Sequence, residues 1–412
     1  MSTGVCSSCG AAYPVEPGMP TWCERCGKGA EPPAPLDSGR IYRARQALAR
    51  KAATRLHQRL SEQPDSLAVI PSRRVAVAFS VAVLLAAPLV VLALVWLILQ
   101  LGFYLKILFL AVLAGIVLLI VPRPNRLPPE ATVLAPAEAP ALRDFVSQVA
   151  GAMGVRPPDA IAVDIDHNMS VVELGYGRRT GLVIGLPLWT VLSWPERTAT
   201  LAHEMGHLRG RDTRDGRLVF WARRLLWTLV ELLWPDALRP TRNAFSDAGG
   251  AIAAVLQHII VAPFLALAMT LERLDAVQSQ HAEYLADRRA AQVAGSAAMT
   301  SALAGLLPPQ RGVTTMERAI RQREDPWRAL EQAPKPTDRE LRRRRAVCAS
   351  GEHQLGDSHP PTSMRIDLLE RHPVGGGLHP PSQTLRRIEE EMVAVRGPLT
   401  QRLRDTVLMR LG

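Results

Sequence analysis

Charged side chains and aromatic rings are both scarce in this 412-residue chain, at 21% and 5%, and nearly all of its cations are arginine. Proteins that read single-stranded nucleic acid interleave aromatic rings with basic side chains. No such pattern occurs, so no nucleic-acid partner is expected despite a net charge of +11. A cleavable signal peptide is also missing, because the N-terminus is polar and Cys-rich where a signal places an apolar run. No acidic side chain interrupts residues 75–121, whose one charged group is Lys106. What is present is an apolar fraction of 48% over a basic background, which suits a membrane protein with basic cytoplasmic parts. The length suffices for about two or three domains.

Four of the five cysteines form two pairs, Cys6-x-x-Cys9 and Cys23-x-x-Cys26, each followed by a glycine, Gly10 and Gly27. Glycine lets the backbone turn tightly around a metal. This is zinc-ribbon spacing, assigned to residues 1–30, with two disulfides or a redox pair as the alternative. A unit this small has almost no core, so zinc would supply its folding energy. Thiolate zinc sites persist best in a reducing compartment, which places this end in the cytoplasm. Such a ribbon commonly binds a partner, which the sequence does not name. Cys348 reads as an incidental free thiol.

Residues 31–72 read as a Pro-rich linker followed by a basic amphipathic helix over 38–60. That helix lies on anionic lipid or is simply solvated. The apolar run over 75–121 is too long for one membrane crossing and fits two, near 75–99 and 103–121. Residues 73–124 are therefore expected to form a transmembrane helical hairpin turning at Gln100 and Gly102. Arg73 and Arg74 precede it and Arg123 and Arg126 follow it, which puts both ends in the cytoplasm.

A Pro-rich break over 122–140 opens a region over 130–372. A helix is expected at 141–153, with strands at 161–165 and 181–186. A further helix begins after Ser193, a good N-cap, with Pro195 in its first turn. Two more apolar segments follow: 218–234 is a doubtful membrane span because it carries Arg223, Arg224 and Glu231, and 251–271 is a better candidate although Gln257, His258 and Pro263 interrupt it. Beyond residue 300 the chain is polar, and the arginine run at 342–345 reads as a solvated or disordered loop. Residues 373–412 read as a C-terminal tail.

The helix after Ser193 carries His203-Glu204-Met205-Gly206-His207. Histidines four apart stack on one helix face, so both imidazoles can reach one zinc ion while Glu204 faces its water. A third ligand is then required. A metzincin arrangement fails: Gly210 fits, but Thr213 stands where the third histidine belongs, and Asp212 is out of register. Glu283, in Glu283-Tyr284-Leu285-Ala286-Asp287, is the better candidate. Asp287, four residues on, can orient a ligand histidine. His258 and His281 remain rival ligands. Glu283 must lie on the membrane side of His203, so 218–234 and 251–271 both span or neither does.

Three blocks, His-Glu-Met-Gly-His, Glu-Tyr-Leu-Ala-Asp and His359-Pro360-Pro361-Thr362-Ser363-Met364-Arg365-Ile366, together resemble the signature of HtpX-type membrane metalloproteases, relatives of the CAAX prenyl proteases. The resemblance covers about 130–370. It implies His203, His207 and Glu283 as zinc ligands, Glu204 as general base and Asp287 as an orienting carboxylate. It also places His359 and Arg365 at the active-site rim, with His359 stabilising the oxyanion or binding substrate. His379-Pro380-Pro381 is a decoy, since Arg386 comes one residue too late. Departures are Gln280 and Ala282, where arginines usually flank the glutamate, and an edge segment reduced to His167-Asn168-Met169-Ser170.

The expected fold is thus a mainly α membrane protein: zinc ribbon, transmembrane hairpin and an α+β gluzincin-like metalloprotease domain. The expected activity is zinc-dependent cleavage of membrane or misfolded proteins at the cytoplasmic face of a multi-pass protein. One zinc is catalytic and one structural; the partners are protein or peptide substrates and the bilayer. An extended substrate is expected to add to a strand edge near 181–186. The alternative is a zinc-ribbon membrane scaffold with a catalytically silent domain. A prenyl-protein processor needs more spans than the sequence offers.

Overall fold

The computed structural model describes residues 2–16, 19–31, 40–63, 71–120, 124–175, 179–210, 213–233, 248–307, 311–350 and 359–409. The elements in order are β1 (Ser2–Val5), β2 (Ala12–Val15), α1 (Arg40–Glu62), α2 (Pro71–Leu99), α3 (Phe103–Ile120), β3 (Thr132–Val133), α4 (Pro140–Met153), β4 (Ala160–Asp164), β5 (Met169–Leu174) and β6 (Arg179–Gly185). Then follow α5 (Leu186–Val191), α6 (Trp194–Gly210), α7 (Thr213–Leu233), α8 (Ala248–Ala294), α9 (Ser296–Gly305), α10 (Arg311–Arg321), α11 (Pro326–Glu331), α12 (Asp338–Ser350), α13 (Thr362–Arg371), α14 (Ser382–Ala394) and α15 (Arg396–Met409). They divide into two units. One comprises Met1–Leu67, Asn125–Gly210 and Gln280–Gly412; the other comprises Ala68–Pro124 and Arg211–Ser279.

The first unit is built on a mixed sheet in the order β3-β4-β6-β5. β4 and β6 run parallel, while β3 and β5 pair antiparallel on either side of them. β4 and β6 are almost continuously buried, as central strands covered on both faces must be. β6 is therefore interior, and the strand edge expected at 181–186 is occupied by β5. The free edge belongs to β5 itself, which packs beside α6.

α4 turns Leu142, Phe145, Val146, Val149 and Met153 into the core at helical spacing. Gly154, at φ 68°, ends it in a left-handed cap that a side chain would strain. Its N-terminus is capped from far along the chain: Ala141 N and Leu142 N each donate to the Glu391 carboxylate at 2.8 Å. Ile388 and Met392 of α14 and Leu399 and Leu403 of α15 lie in this core. Residues 373–412 are thus part of the domain, a correction to their reading as a tail. The arginine run also departs from its expected loop: it lies in α12, with Arg339, Arg343 and Arg344 buried. The C-terminal half of α1 is not a free lipid-facing helix. It buries Leu56 and Leu60 and meets α13, where His57 Nε2 lies 3.0 Å from Asp367 Oδ2.

The second unit contains α2, α3, α7 and the first part of α8. Among the described residues one helix, Arg73–Leu99, is long and apolar enough to cross a membrane, with a mean hydropathy of 2.9. Its length of roughly 40 Å exceeds a hydrocarbon core of about 30 Å. Phe103–Leu118 is equally apolar in character but shorter. Leu97 O and Ile98 O accept from Gln100 N and Leu101 N, making the tight turn expected at Gln100. α7 presents Val219, Ala222, Leu226 and Val230 at helical spacing, and the first three pack with Ala76 of α2 and Ala268 and Leu271 of α8. One of the charges in α7 also finds a partner: Arg223 Nη1 lies 3.0 Å from Asp275 Oδ2.

Candidate active site and metal centres

α6 begins with the glutamate half of a capping box. Ser193 N and Ser193 Oγ both donate to Glu196 Oε2, at 2.6 and 2.7 Å, while Ser193 O accepts from Arg197 N at 2.8 Å. Arg197 pins this turn. Its buried guanidinium donates to Trp189 O at 2.8 Å, pairs with Glu389 and stacks on the rings of Trp189 and Trp194. One face of α6 buries Ala199, Leu201, Ala202 and Met205 in the core, and His203 and His207 project from the helix toward α8. At Gly206 the two helices touch: a Cβ there would lie 3.0 Å from Ala286 Cα and 3.1 Å from Ala286 Cβ. Small residues at both positions let the histidines reach Glu283.

The geometry that results is specific. His203 Nε2 and His207 Nε2 are 3.2 Å apart, and Glu283 oxygens lie 3.5 Å from the first and 3.2 Å from the second. Ligand atoms about 2.05 Å from a tetrahedral zinc are separated by about 3.3 Å. The distance between the two imidazole nitrogens matches that figure, and each of them lies near that distance from one of the two Glu283 oxygens, Oε2 for His203 and Oε1 for His207. Two imidazole nitrogens this close, with a buried Glu283 carboxylate whose oxygens reach both of them, form a donor set that a cation would complete. The residues therefore fit a bound zinc or similar divalent metal.

A network of charges holds these three candidate ligands. Asp287 Oδ1 lies 2.9 Å from His203 Nδ1, on the ring nitrogen away from Glu283. Arg365 donates to both Asp287 oxygens and lies 3.1 Å from Glu283 Oε2. It is only 6% exposed, so it sits beneath the ligands and not at the rim where the resemblance put it. His359 does lie at the surface, with Nδ1 3.0 Å from Glu283 Oε1. Burial pushes the Glu283 carboxyl up, but hydrogen bonds from His207 and His359 and the Arg365 charge outweigh it and hold the group well below the carboxylate range. Asp287 is likewise held low against its burial, chiefly by Arg365. Burial pulls the His203 pKa down, yet contact with Asp287 raises it overall. Glu204 is half-buried on the same helix turn.

His203, His207, Glu283, Asp287, His359 and Arg365 are thus brought together in one place. His281 is not in the histidine–glutamate cluster; it is buried and lines a cavity with Leu60, Tyr284, Leu368 and the site residues Asp287 and Arg365. His379 is exposed, in the segment that leads into α14. The side chains of His258 and Thr213, and all of Asp212 and Arg123, lie outside the described residues. The segment at His167 leads into β5, where Asn168 O accepts from Gly185 N at 2.8 Å. Gly206, Ala286 and Arg197 were not singled out from the sequence. The glycine inside the histidine motif and the alanine inside the glutamate motif were the available signal for a close helix contact.

The second candidate metal centre is the cysteine cluster near the N-terminus. Cys6 Sγ lies 3.5 Å from Cys26 Sγ and Cys9 Sγ 3.6 Å from Cys23 Sγ, far beyond a disulfide bond of about 2.05 Å. Tetrahedral zinc thiolates have edges near 3.8 Å, with zinc–sulfur bonds of about 2.3 Å. All four sulfurs form one cluster. Gly10 N and Gly27 N donate to Cys6 O and Cys23 O at 2.9 Å, and both glycines have positive φ. Amide hydrogens of Ser8 and Cys9 lower the Cys6 thiol to about 6 and favour its thiolate.

Three helices that bring together a histidine pair with an intervening glutamate, a carboxylate placed as third ligand and a gripping arginine define a metallopeptidase-type centre. The family model of Peptidase family M48 matches residues 136–372, more than half of the chain. The chain belongs to peptidase family M48, and it is of the HtpX type. It is 28% identical over 247 residues to a protease HtpX homolog of Pyrococcus abyssi, covering 58% of this chain and 76% of that one. A protease HtpX homolog of Pyrococcus furiosus is 27% identical over 256 residues, with the same coverages of 58% and 76%. A third, from Desulforapulum autotrophicum, is 24% identical over 231 residues, 56% of this chain and 64% of its own. No solved structure matches the chain significantly.

Proposed function

We propose that this chain is a membrane-anchored, zinc-dependent endopeptidase that cleaves membrane or misfolded proteins at the cytoplasmic face. The observation that carries the reading is the cluster of His203, His207 and Glu283: the two Nε2 atoms are 3.2 Å apart, and Glu283 places Oε2 3.5 Å from the first and Oε1 3.2 Å from the second. The basic residues flanking the apolar hairpin support the cytoplasmic orientation, and α3 would make a second crossing by thinning the bilayer locally. A bound zinc would polarise the scissile carbonyl and bring the pKa of water down to about 7. Glu204 takes the proton from the attacking water and passes it to the leaving amine. Asp287 and Arg365 keep His203 and Glu283 in position. His359, exposed beside Glu283, faces the substrate side and is placed to donate to the developing oxyanion. The free edge of β5 offers main-chain groups to an extended substrate.

The test is the Glu204→Gln variant with an unfolded membrane-protein substrate. It is expected to retain its metal and lose cleavage by at least about a thousandfold, within the range known for such groups. Unchanged turnover in this variant would remove Glu204 from the mechanism and the protease assignment with it.

A further inference from the structure

α12 is a helix dominated by arginine, yet three of its guanidinium groups, on Arg339, Arg343 and Arg344, are buried. Buried cations need acceptors. Those acceptors split the helix into two faces. Toward the ribbon, Arg339 Nη2 donates to Trp22 O at 2.6 Å and its guanidinium sits 5.3 Å from the Trp22 ring centroid. Arg342 Nη2 reaches Glu24 Oε1 at 3.2 Å, and Arg343 Nη1 reaches Gly29 O at 3.5 Å. Thr337 Oγ1, just before the helix, donates to Glu16 at 2.7 Å.

The other face belongs to the protease domain. Arg344 Nη1 donates to Leu307 O at 3.3 Å, and Arg345 Nη1 to Glu370 Oε1 of α13 at 2.9 Å. Glu340, 1% exposed, joins the faces by accepting from both Arg343 and Arg344. α12 packs on α13, and α13 delivers Arg365 to the metal ligands.

Two of the ribbon's acceptors, Trp22 O and Gly29 O, flank the second cysteine pair. The fold of that knuckle fixes them. Cys23 N donates to Lys28 O at 2.8 Å, and Gly29 adopts φ 85° so close to Thr21 O that a Cβ would lie 2.3 Å from it. The β1–β2 hairpin has strands of four residues and no core of its own, so metal is what sets this backbone.

We propose that the ribbon's partner is α12 of its own chain, and that metal in the four-cysteine site clamps α12 and α13 and so keeps Arg365 in place. Only the last link, to catalysis, rests on the metallopeptidase reading.

The experiment is hydrogen exchange on the full chain in detergent, with zinc content measured in parallel. Cys23→Ser/Cys26→Ser is expected to lose one zinc and to speed amide exchange over 338–350 and 362–371 by about tenfold or more, with α4 unchanged. Arg339→Gln/Arg342→Gln is expected to keep that zinc and still speed exchange over 338–350. This second variant decides the matter if the first opens throughout. Unchanged exchange in α12 after the interface arginines are replaced overturns the clamp. Faster exchange in a chain that shows no proteolysis would uphold the clamp and reject only the protease reading.

Discussion

Arg365 grips Asp287 at two points, Nε to Oδ2 at 2.7 Å and Nη2 to Oδ1 at 2.6 Å. Its remaining nitrogen, Nη1, lies 3.1 Å from Glu283 Oε2. One guanidinium thus orients a ligand carboxylate and the carboxylate behind a ligand histidine. A lysine is a point charge and cannot hold both. Arg365→Lys is therefore expected to weaken the catalytic metal site about 10–100-fold, read by zinc competition titration. Arg365→Met, which leaves buried carboxylates without their cation, is expected to lower stability by about 3–5 kcal/mol in thermal denaturation.

The contact between α6 and α8 at Gly206 sets the distance from the histidines to Glu283. Because the nearest atoms to an added Cβ are Ala286 Cα and Cβ, no flexible side chain can yield. Gly206→Val is expected to push the helices apart, costing about 1–3 kcal/mol and the zinc at this site. Metal analysis and a melting curve check both. Retention of full zinc would show that the contact does not set the site.

Asp164, 7% exposed in the core strand β4, gives a pH dependence away from the metal. Burial, opposed by the Asp166 amide and aided by the Asp166 and Glu130 charges, raises its carboxyl to about 6. Between the ordinary value of 3.8 and about 6, the folded chain holds a proton that the unfolded chain has released. This contribution to stability is full below that window, falls as pH rises through it and is absent above it. Asp164→Asn is expected to remove this slope and to raise stability at pH 7 by up to about 3 kcal/mol. Thermal midpoints of both chains at pH 4.5 and 7 test the sign.

Glu391 caps the first turn of α4 from 249 residues away. Glu391→Ala is expected to cost about 1–2 kcal/mol, since it removes a charged acceptor from two free amides at a helix N-terminus. Truncation after residue 372 also removes Ile388, Met392, Leu399 and Leu403 from the core and is expected to prevent folding. A soluble, cooperatively melting truncated chain would contradict this.

The chemistry was the most legible part of the sequence. Helical spacing alone pairs His203 with His207 and Glu283 with Asp287, because both periodicities are local. What failed was whatever depends on distant partners. The arginines of α12 read as solvated because their acceptors lie in the ribbon, 317 positions earlier for Arg339 and Trp22. β6 was taken for an edge because periodicity reports burial and not neighbours; its unbroken apolar run was the sign of an interior strand. Arg365 was placed at the rim because a motif names a residue without its depth. The tail looked separable because its apolar residues are few, yet Ile388, Met392, Leu399 and Leu403 fill places in the core.

Zinc content of the purified full-length chain tests the central claim most directly. Wild type is expected to carry two zinc ions, one on the cysteine cluster and one on His203, His207 and Glu283. His203→Ala/His207→Ala is expected to carry one. A wild-type chain with a single zinc that survives this double substitution would leave only the ribbon as a metal site and contradict the account.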